Sequence, residues 1–268
     1  MKNIGLHIRL IDKISNVAKK ACRLNIPYFQ TFLIDSSKQF TKLTTQDVEQ
    51  FLYFRPQFKT LFLHASYWIN CASPYKIADK LLEREFSLAE LLQFDYLVIH
   101  PGSIAHYQTK SESIKLIAQR INRILNKFEK VNILLENVGH AKRSLGGKFK
   151  ELRSIYDFIE QQHRVSFCVD TAHAHVYGYN LLEPQEFIEI LNQELELQKI
   201  KLIHLNDTQK EMGSHIDIHT CPGKGKIGKQ NLCSILHHPQ LEHSLTIIEL
   251  PKIDEEKERT VIEELKKW

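Results

Sequence analysis

Eight short apolar segments recur along the chain, and each is followed by a longer segment in which apolar residues return with the period of a helix. The apolar segments are nearly continuous runs of Val, Ile, Leu and Phe, which is typical of strands buried on both faces of a parallel sheet. The predicted strands are Asn3 to His7, Tyr28 to Ile34, Thr60 to His64, Tyr96 to His100, Asn132 to Glu136, Ser166 to Asp170, Lys201 to His204 and Leu245 to Glu249. This alternation predicts an α/β fold with a parallel sheet.

The segments between the strands have the pattern of surface helices. In Ser111 to Phe128 and in Gln185 to Leu197, charged residues fill the positions between the apolar ones. A charged helix, Asp254 to Lys267, completes the eighth unit. No low-complexity tract or linker divides the 268 residues, and one barrel of this kind takes roughly 250. We therefore predict a single (β/α)8 TIM-barrel domain over residues 1–268.

Six of the predicted strands end in a residue that is able to bind a metal ion. These residues are His64, His100, Glu136, Asp170, His204 and Glu249. The carboxyl ends of barrel strands form one mouth, where barrel enzymes carry their active sites, so we expect these side chains to converge. Three carboxylates and three imidazoles would be costly to bury together, whereas divalent cations neutralise the carboxylates and bind the imidazole lone pairs. The sequence thus predicts a metal site at the C-terminal mouth of the strands.

We expect three further donors to reach this mouth, in two short pairs. His173 follows Asp170 by three positions at the start of a helix, and Asp217 precedes His219 by two positions in a loop. On its own the second pair is equally compatible with a solvated turn. Together the nine donors exceed what one tetrahedral zinc needs and fit two or three ions that share a carboxylate. A phosphodiester is the natural substrate, because clustered cations activate a water and stabilise both the attacked phosphate and the departing oxygen.

Two other features leave alternatives open. Tyr67 and Trp68 are either presented to a ligand or cap the barrel core. The glycine-rich segment 221–228 reads CPGKGKIG, and its spacing matches neither a P-loop nor a dinucleotide fingerprint. We interpret it, taken alone, as a flexible turn.

Charge and cysteine content restrict the setting of the protein. The net charge of +4 and the pI near 8.7 permit a polyanionic partner without establishing one. The five cysteines form no C-x-x-C pair, so neither a disulfide framework nor a cysteine zinc site is favoured, and a reducing cytoplasm fits best. No stretch approaches the roughly 18 apolar residues of a membrane span. We expect a cytoplasmic protein.

The strand-end motifs resemble those of the endonuclease IV family of apurinic/apyrimidinic endonucleases, in order and over nearly the whole chain. The residues that carry the resemblance are IGLH (4–7), HASYWIN (64–70), HPGS (100–103), LEN (135–137), VDTAHAHVYGY (169–179), HLND (204–207), GSHIDIH (213–219), GKIG (225–228) and IE (248–249). The resemblance implies a trinuclear zinc site, in which manganese is an expected substitute.

The same resemblance assigns the donors to three ions. It places His64, His100 and a bridging Glu136 on the first ion, Glu136, Asp170, His204 and Glu249 on the second, and His173, Asp217 and His219 on the third. It further implies that a hydroxide bridging the metals, generated with the help of Glu136, attacks the phosphate on the 5′ side of an abasic nucleotide in double-stranded DNA. The products would be a 3′-hydroxyl and a 5′-deoxyribose phosphate, released by a monomeric enzyme of base excision repair.

The resemblance also indicates DNA-contact residues and departures from the family pattern. Tyr67 matches a position that inserts beside the extrahelical nucleotide, as wedge residues do. The loop at residues 35–40 reads DSSKQF where the family usually offers an Arg and a Trp, so Lys38 is its only cation. Ile218 stands where an Arg is common, Lys224 where an acidic residue is common, and Ile104 where a second His is common. The departures change DNA-contact loops and leave the metal donors intact.

Two other functions are weighed against this one. A sugar or keto-acid isomerase of the xylose isomerase-like barrels would use a smaller donor set on one or two ions, and would not need His173, Asp217 and His219. A metal-stabilised module that recognises damaged DNA without cutting it would bind metal and duplex without turnover.

Overall fold

The computed structural model describes residues 4–33, 43–140 and 143–268, and it contains a closed barrel of eight parallel strands. In chain order the strands are β1 (Gly5–His7), β2 (Tyr28–Thr31), β3 (Thr60–His64), β4 (Tyr96–Ile99), β5 (Gly102–Ser103), β6 (Asn132–Glu136), β7 (Ser144–Leu145), β8 (Val165–Asp170), β9 (Ile200–His204), β10 (Asp207–Thr208), β11 (His219–Thr220) and β12 (Leu245–Ile248). The barrel order is β1-β2-β3-β4-β6-β8-β9-β12, and β12 closes on β1. The predicted (β/α)8 TIM barrel is confirmed.

Helices follow the barrel strands and cover the outside of the sheet. They are α1 (Ile14–Arg23), α2 (Thr45–Phe54), α3 (Lys76–Leu91), α4 (Lys110–Lys127), α5 (Phe149–Tyr156), α6 (Thr171–Tyr177), α7 (Pro184–Leu195), α8 (Lys229–Leu236) and α9 (Glu255–Leu265), with short 3-10 turns at Arg55–Gln57, Gln162–Arg164, Leu197–Lys199 and Pro239–Leu241. Local sequence sets their starts: in α4, Thr109 and Glu112 form a reciprocal capping box. Within the described ranges, no helix has the length and apolar character needed to cross a membrane.

The four strands outside the barrel form two small antiparallel pairs. One pair joins β5 to β7, and the other joins β10 to β11. The second pair matters for function because the chain between its strands carries Asp217. From the sequence alone, this segment is predicted to be a loop.

The predicted strand Tyr28 to Ile34 is clearly longer than the strand in the structure. It extends to Ile34, whereas β2 ends at Thr31. The last pairing of β2 with β3 joins Thr31 to Leu63, and β1 pairs with β2 only as far as Gln30. Without partners on either side the chain leaves the sheet, and Leu33 already lies in a bend. Ile34 lies outside the described residues.

Seven apolar side chains, each from a different strand, form a cluster inside the barrel. They are Tyr28, Phe62, Val98, Leu134, Cys168, Leu202 and Ile247. Because side chains alternate between the two faces of a strand, the residue two positions later also points inward. Thus Phe62 is followed by His64, and Leu134 by Glu136. A polar layer therefore lies directly above an apolar floor.

The remaining barrel strand, β1, contributes Gly5 at the level of this floor, where it pairs with Ile247. A Cβ atom on Gly5 would lie 2.4 Å from Cδ2 of Tyr28 and 2.8 Å from the Tyr28 carbonyl oxygen. The absent side chain leaves space for the buried ring of Tyr28, whose hydroxyl accepts the backbone N–H of Thr246 at 3.3 Å. Only glycine at position 5 therefore allows β1 to approach Tyr28 this closely.

We predict that Gly5→Ala lowers the free energy of unfolding by about 1–3 kcal/mol, the usual cost of overpacking a dense core. Tyr28→Val removes the ring that the new methyl group would strike, so the double variant should be more stable than the sum of the two single losses predicts. Urea denaturation of the four proteins measures this coupling. Strict additivity of the two losses would contradict the proposed clash.

Candidate metal centre

A ring of eight polar side chains, one from each barrel strand, lines the mouth of the barrel above the apolar floor. Its members are His7, Gln30, His64, His100, Glu136, Asp170, His204 and Glu249. Six of them are the strand-end donors expected from the sequence. His7 ends the first predicted strand and belongs to a family motif but is not among the predicted donors, and Gln30 is not predicted. Gln30 follows the floor residue Tyr28 by two positions, which is the signal that could have identified it.

The first group of donors contains His64, His100 and Glu136. The Nε2 atoms of the two histidines lie 2.9 Å and 3.0 Å from the same carboxylate oxygen, Oε2 of Glu136. Nδ1 of His64 lies 2.8 Å from the carbonyl oxygen of Ala65, and a carbonyl only accepts, so this nitrogen carries the proton. Nε2 of His64 is therefore the ring nitrogen that is left for a metal ion, and it offers a lone pair when the ring is neutral, as metal-binding histidines require.

The second group contains Asp170, His204 and Glu249, and Glu136 connects it to the first. Oε1 of Glu136 lies 2.8 Å from Nδ1 of His204, while its Oε2 belongs to the first group. Carboxylate oxygens of Asp170 and Glu249 lie 3.8 Å and 3.9 Å from the same Nδ1 atom. One carboxylate therefore faces two donor groups, which is the arrangement of a bridging ligand.

The third group contains His173, Asp217 and His219, at the edge of the ring. Nε2 of His173 lies 3.1 Å from Oδ2 of Asp217, and Nε2 of His219 lies 3.1 Å from its Oδ1. The second contact has no hydrogen-bond geometry, so the buried His219 nitrogen has no hydrogen-bond partner among the described residues. Nδ1 of His173 donates to the carbonyl of Asn137 at 2.8 Å, so Nε2 is the ring nitrogen that faces Asp217 and is left for a metal ion.

Local sequence positions His173. The side chain of Asp170 caps helix α6 by accepting the backbone N–H of His173 at 2.8 Å. Asp at the N-cap and His three positions later therefore place both side chains at the mouth in one turn of chain. The other Asp170 oxygen accepts from Asn206 Nδ2 at 2.6 Å, and Asn206 accepts the Glu249 backbone N–H at 2.8 Å. Asn206 was not singled out from the sequence.

The electrostatics of the ring favour cation binding. Burial alone would raise the pKa of Glu136, but the imidazoles of His204 and His100 outweigh it and hold that pKa well below its usual range. Burial likewise opposes protonation of His173, yet the carboxylates of Asp170 and Asp217 raise its pKa well above the usual value. The pKa of His204 is likewise raised well above its usual value, in spite of burial, by nearby groups that include Glu136 and Glu249. His173 and His204 thus carry positive charge beside the carboxylates, and divalent cations would replace that charge.

Within the described ranges, four sets of ligand atoms come close enough to share an ion, each set lying within 4.8 Å. The sets are His64, His100 and Glu136; Glu136, Cys168 and His204; Asp170, His173 and His219; and Asp170, His204 and Glu249. Cys168 belongs to the apolar floor, and burial raises its pKa to about 12, so it remains a thiol and a weak ligand. The remaining donors are the nitrogen and oxygen atoms that zinc accepts.

The loop that carries Asp217 and His219 is anchored by Asp207. The Asp207 carboxylate accepts the backbone N–H groups of Gly223, Gly225, Ile227 and Gly228 at 2.9–3.2 Å. A Cβ atom on Gly225 would lie 2.3 Å from Asp207 Oδ1, so only glycine permits this approach. The interpretation of segment 221–228 as a flexible turn is wrong, because its amides enclose an internal anion.

Of the two residues expected to contact DNA, Tyr67 lies within the described residues. Its side chain is 63% exposed. Its ring lies 5.5 Å from that of His64 and 5.5 Å from that of His100, with Phe32 at 5.1 Å on the other side. Tyr67 is therefore not a core cap but an exposed ring beside the first group. Lys38 lies outside the described residues.

Comparisons with known proteins show the family and the fold of this chain. A sequence family described as xylose isomerase-like TIM barrel matches residues 20–268. The protein named probable endonuclease 4 from Halothermothrix orenii is 30% identical over 93% of this chain and 93% of its own length. The crystal structure of endonuclease IV from Thermus thermophilus superimposes with a TM-score of 0.83 at 26% identity, covering 98% of this chain and 99% of that one.

A sugar-epimerase relative shares the fold at lower similarity. A D-tagatose 3-epimerase-like protein superimposes with a TM-score of 0.76 at 20% identity, over 99% of this chain and 96% of that one. At that identity the likeness concerns the barrel alone.

We predict that Asp207→Ala frees the glycine-rich segment. Several backbone N–H groups would lose a charged acceptor, so hydrogen exchange at Gly223, Gly225 and Ile227 should accelerate by at least about tenfold, given roughly 1–3 kcal/mol for a buried group left unpaired. Asp254→Ala is the matched control, because Asp254 accepts one backbone N–H at the exposed start of α9. Unchanged protection of the segment in Asp207→Ala would contradict the anchoring role.

Proposed function

Because this chain belongs to the endonuclease IV family of xylose isomerase-like TIM barrels, we propose that it is a metal-dependent apurinic/apyrimidinic endonuclease of base excision repair. The proposed reaction is hydrolysis of the phosphodiester on the 5′ side of an abasic site in double-stranded DNA, which leaves a 3′-hydroxyl and a 5′-deoxyribose phosphate. The observation that carries the proposal is the third donor group, in which His173 and His219 each lie 3.1 Å from Asp217. These donors lie beside a ring whose other side chains already form groups able to hold an ion.

We propose three zinc ions as the cofactor, with manganese as a substitute. The first would be held by His64, His100 and Glu136, the second by Glu136, Asp170, His204 and Glu249, and the third by His173, Asp217 and His219. When bound, such ions supply Lewis acidity that activates a water and stabilises charge on the attacked phosphate and the departing oxygen. The donor chemistry supports this assignment, because buried imidazoles and carboxylates surround one shared carboxylate.

Glu136 is the catalytic residue in this proposal. Its carboxylate is fully buried, and the imidazoles that keep its pKa low also keep it unprotonated. An unprotonated carboxylate at the centre of the site can orient the attacking water and accept its proton. His64 and His204 fix the carboxylate from opposite oxygens, at 2.9 Å and 2.8 Å. The water is thereby held in one orientation toward the phosphate.

Tyr67 and Lys38 would contact the DNA. The exposed ring of Tyr67 beside His64 and His100 gives the apolar wedge that an extrahelical abasic nucleotide can pack against. Flipping costs least at an unpaired site, which gives selectivity for damage. Lys38 would bind the phosphate backbone, and this role is supported by the sequence alone.

The proposal also includes the domain organisation, the oligomeric state and the cellular compartment of the protein. We propose that residues 1–268 form one domain that works as a monomer in the cytoplasm. All five cysteines are free thiols, which fits a reducing compartment.

The test is incision of a labelled duplex that contains one tetrahydrofuran abasic analogue, with zinc supplied. Wild type should cut on the 5′ side, and Glu136→Gln should cut at least about 100-fold more slowly, because general-base catalysis contributes roughly 10²–10⁴-fold. Glu258→Gln is the control, since this carboxylate pairs with Lys20 on the outer helices. Absence of cutting by a wild type whose zinc content has been verified would overturn the proposal.

A second measurement separates the nuclease from the isomerase. His219→Asn removes one donor of the third group, and we expect incision to fall at least about 100-fold, as loss of one stabiliser of transition-state charge does. His215→Asn is the control from the same loop, because the His215 ring contacts Tyr177 and not the donors. Ketose epimerisation that survives in His219→Asn, together with no incision by wild type, would favour the isomerase.

A further inference from the structure

Gln30 lies in the polar ring and contacts two of the proposed ligands of the second ion. Its side chain is fully buried on β2. The amide oxygen lies 2.9 Å from Nε2 of His204. The amide nitrogen lies 2.7 Å from Oε1 of Glu249 and 2.8 Å from Nδ1 of His7. All the hydrogen-bonding capacity of this nitrogen is therefore used inside the site.

The orientation of the amide follows from its neighbours. If the oxygen and nitrogen were exchanged, the oxygen would lie 2.7 Å from a Glu249 carboxylate oxygen, and two acceptors would face each other. The observed orientation instead gives Glu249 a donor. The nitrogen also lies 2.8 Å from Nδ1 of His7, and this ring atom lies 3.2 Å from the same Glu249 oxygen.

The amide oxygen determines the tautomer of His204. An amide oxygen only accepts, so Nε2 of His204 must carry a proton and donate it to Gln30. The lone pair of a neutral His204 is then on Nδ1, the atom that lies 2.8 Å from Glu136 and faces Asp170 and Glu249. The nitrogen presented to the donor group is thus selected by a residue that is not itself in that group.

We propose that Gln30 is a positioning residue which fixes the tautomer of His204 and the orientation of Glu249 for the second ion. The inference rests on the proposed function in one respect, that the ring binds divalent ions. Partners that hold the far side of a ligand histidine commonly change metal affinity by about 10–100-fold when removed. Gln30 holds a histidine and a carboxylate at once, through the two ends of one amide.

Gln30→Met tests this role, because it keeps the length of the side chain and removes both hydrogen-bonding ends. Competition with a chromogenic chelator, using zinc alone and no DNA, should show one of the bound ions held about 10–100-fold more weakly. Thr246→Val is the matched control: Thr246 is fully buried in β12, and its hydroxyl has no hydrogen-bond partner. Its zinc affinity should equal that of wild type.

Nitrogen NMR of histidine-labelled protein gives a readout that a general loss of stability would not move. In zinc-loaded wild type, His204 should show a protonated Nε2 in a strong hydrogen bond, and Gln30→Met should lose that signature. Gln30→Glu retains an oxygen acceptor beside Nε2 but sets a second oxygen against Glu249, so it should restore the His204 signal without restoring the contact that orients Glu249. Circular dichroism verifies that each variant is folded.

The outcomes separate the two proposals. If wild type binds zinc and cuts DNA while Gln30→Met keeps both the zinc affinity and the His204 signal, the role of Gln30 is wrong and the nuclease proposal stands. If wild type binds no divalent ion, both are overturned. Weaker zinc binding with a lost His204 signal in Gln30→Met, and an unchanged Thr246→Val, would establish the role.

Discussion

The buried carboxylate of Glu136 is the constraint on which the mouth of the barrel depends. A fully buried carboxylate must be neutralised and hydrogen-bonded or it would not stay ionised. Here one oxygen meets the imidazoles of His64 and His100, and the other meets His204. On the far side of these rings, His64 Nδ1 donates to the Ala65 carbonyl and His204 Nε2 donates to the Gln30 amide oxygen. The residues behind the two histidines thus determine which ring nitrogen faces the central carboxylate.

The sequence predicts the barrel and most of the ring because both follow from local periodicity. Ligands such as His64 and Asp170 end their strands, and the alternation of side chains places them in one layer. Gln30 is not predicted by the same reasoning, because the predicted strand continues to Ile34 and its end is therefore four residues beyond Gln30.

The anchoring of the glycine-rich segment is not predicted for a different reason. Asp207 binds amides 16 to 21 residues later, and a contact at that separation leaves no periodic signal.

The site combines a rigid part with an anchored part. Six of the nine proposed donors stand on barrel strands or directly after them, where the parallel ladder and the apolar floor fix the backbone. His173 is held by the first turn of α6, and Asp217 and His219 by the pairing of β10 with β11. Thr208 adds a hydrogen bond from its hydroxyl to the Ile218 carbonyl at 2.7 Å, between the two loop donors. A loop held in this way can keep metal-ligand geometry that a free loop would lose.

The same barrel is compatible with more than one chemistry, so the loops above it must distinguish them. A D-tagatose 3-epimerase-like protein shares the fold with a TM-score of 0.76, although only 20% of the aligned residues are identical. A pair of ions in the ring would suit either a proton shift on a sugar or the activation of a water. Cleavage of a phosphodiester also needs charge stabilised on the departing oxygen, which calls for a cation to one side of the central pair. In the proposed function Asp217 and His219 would hold that cation, so the proposed reaction depends most directly on what holds their loop in place.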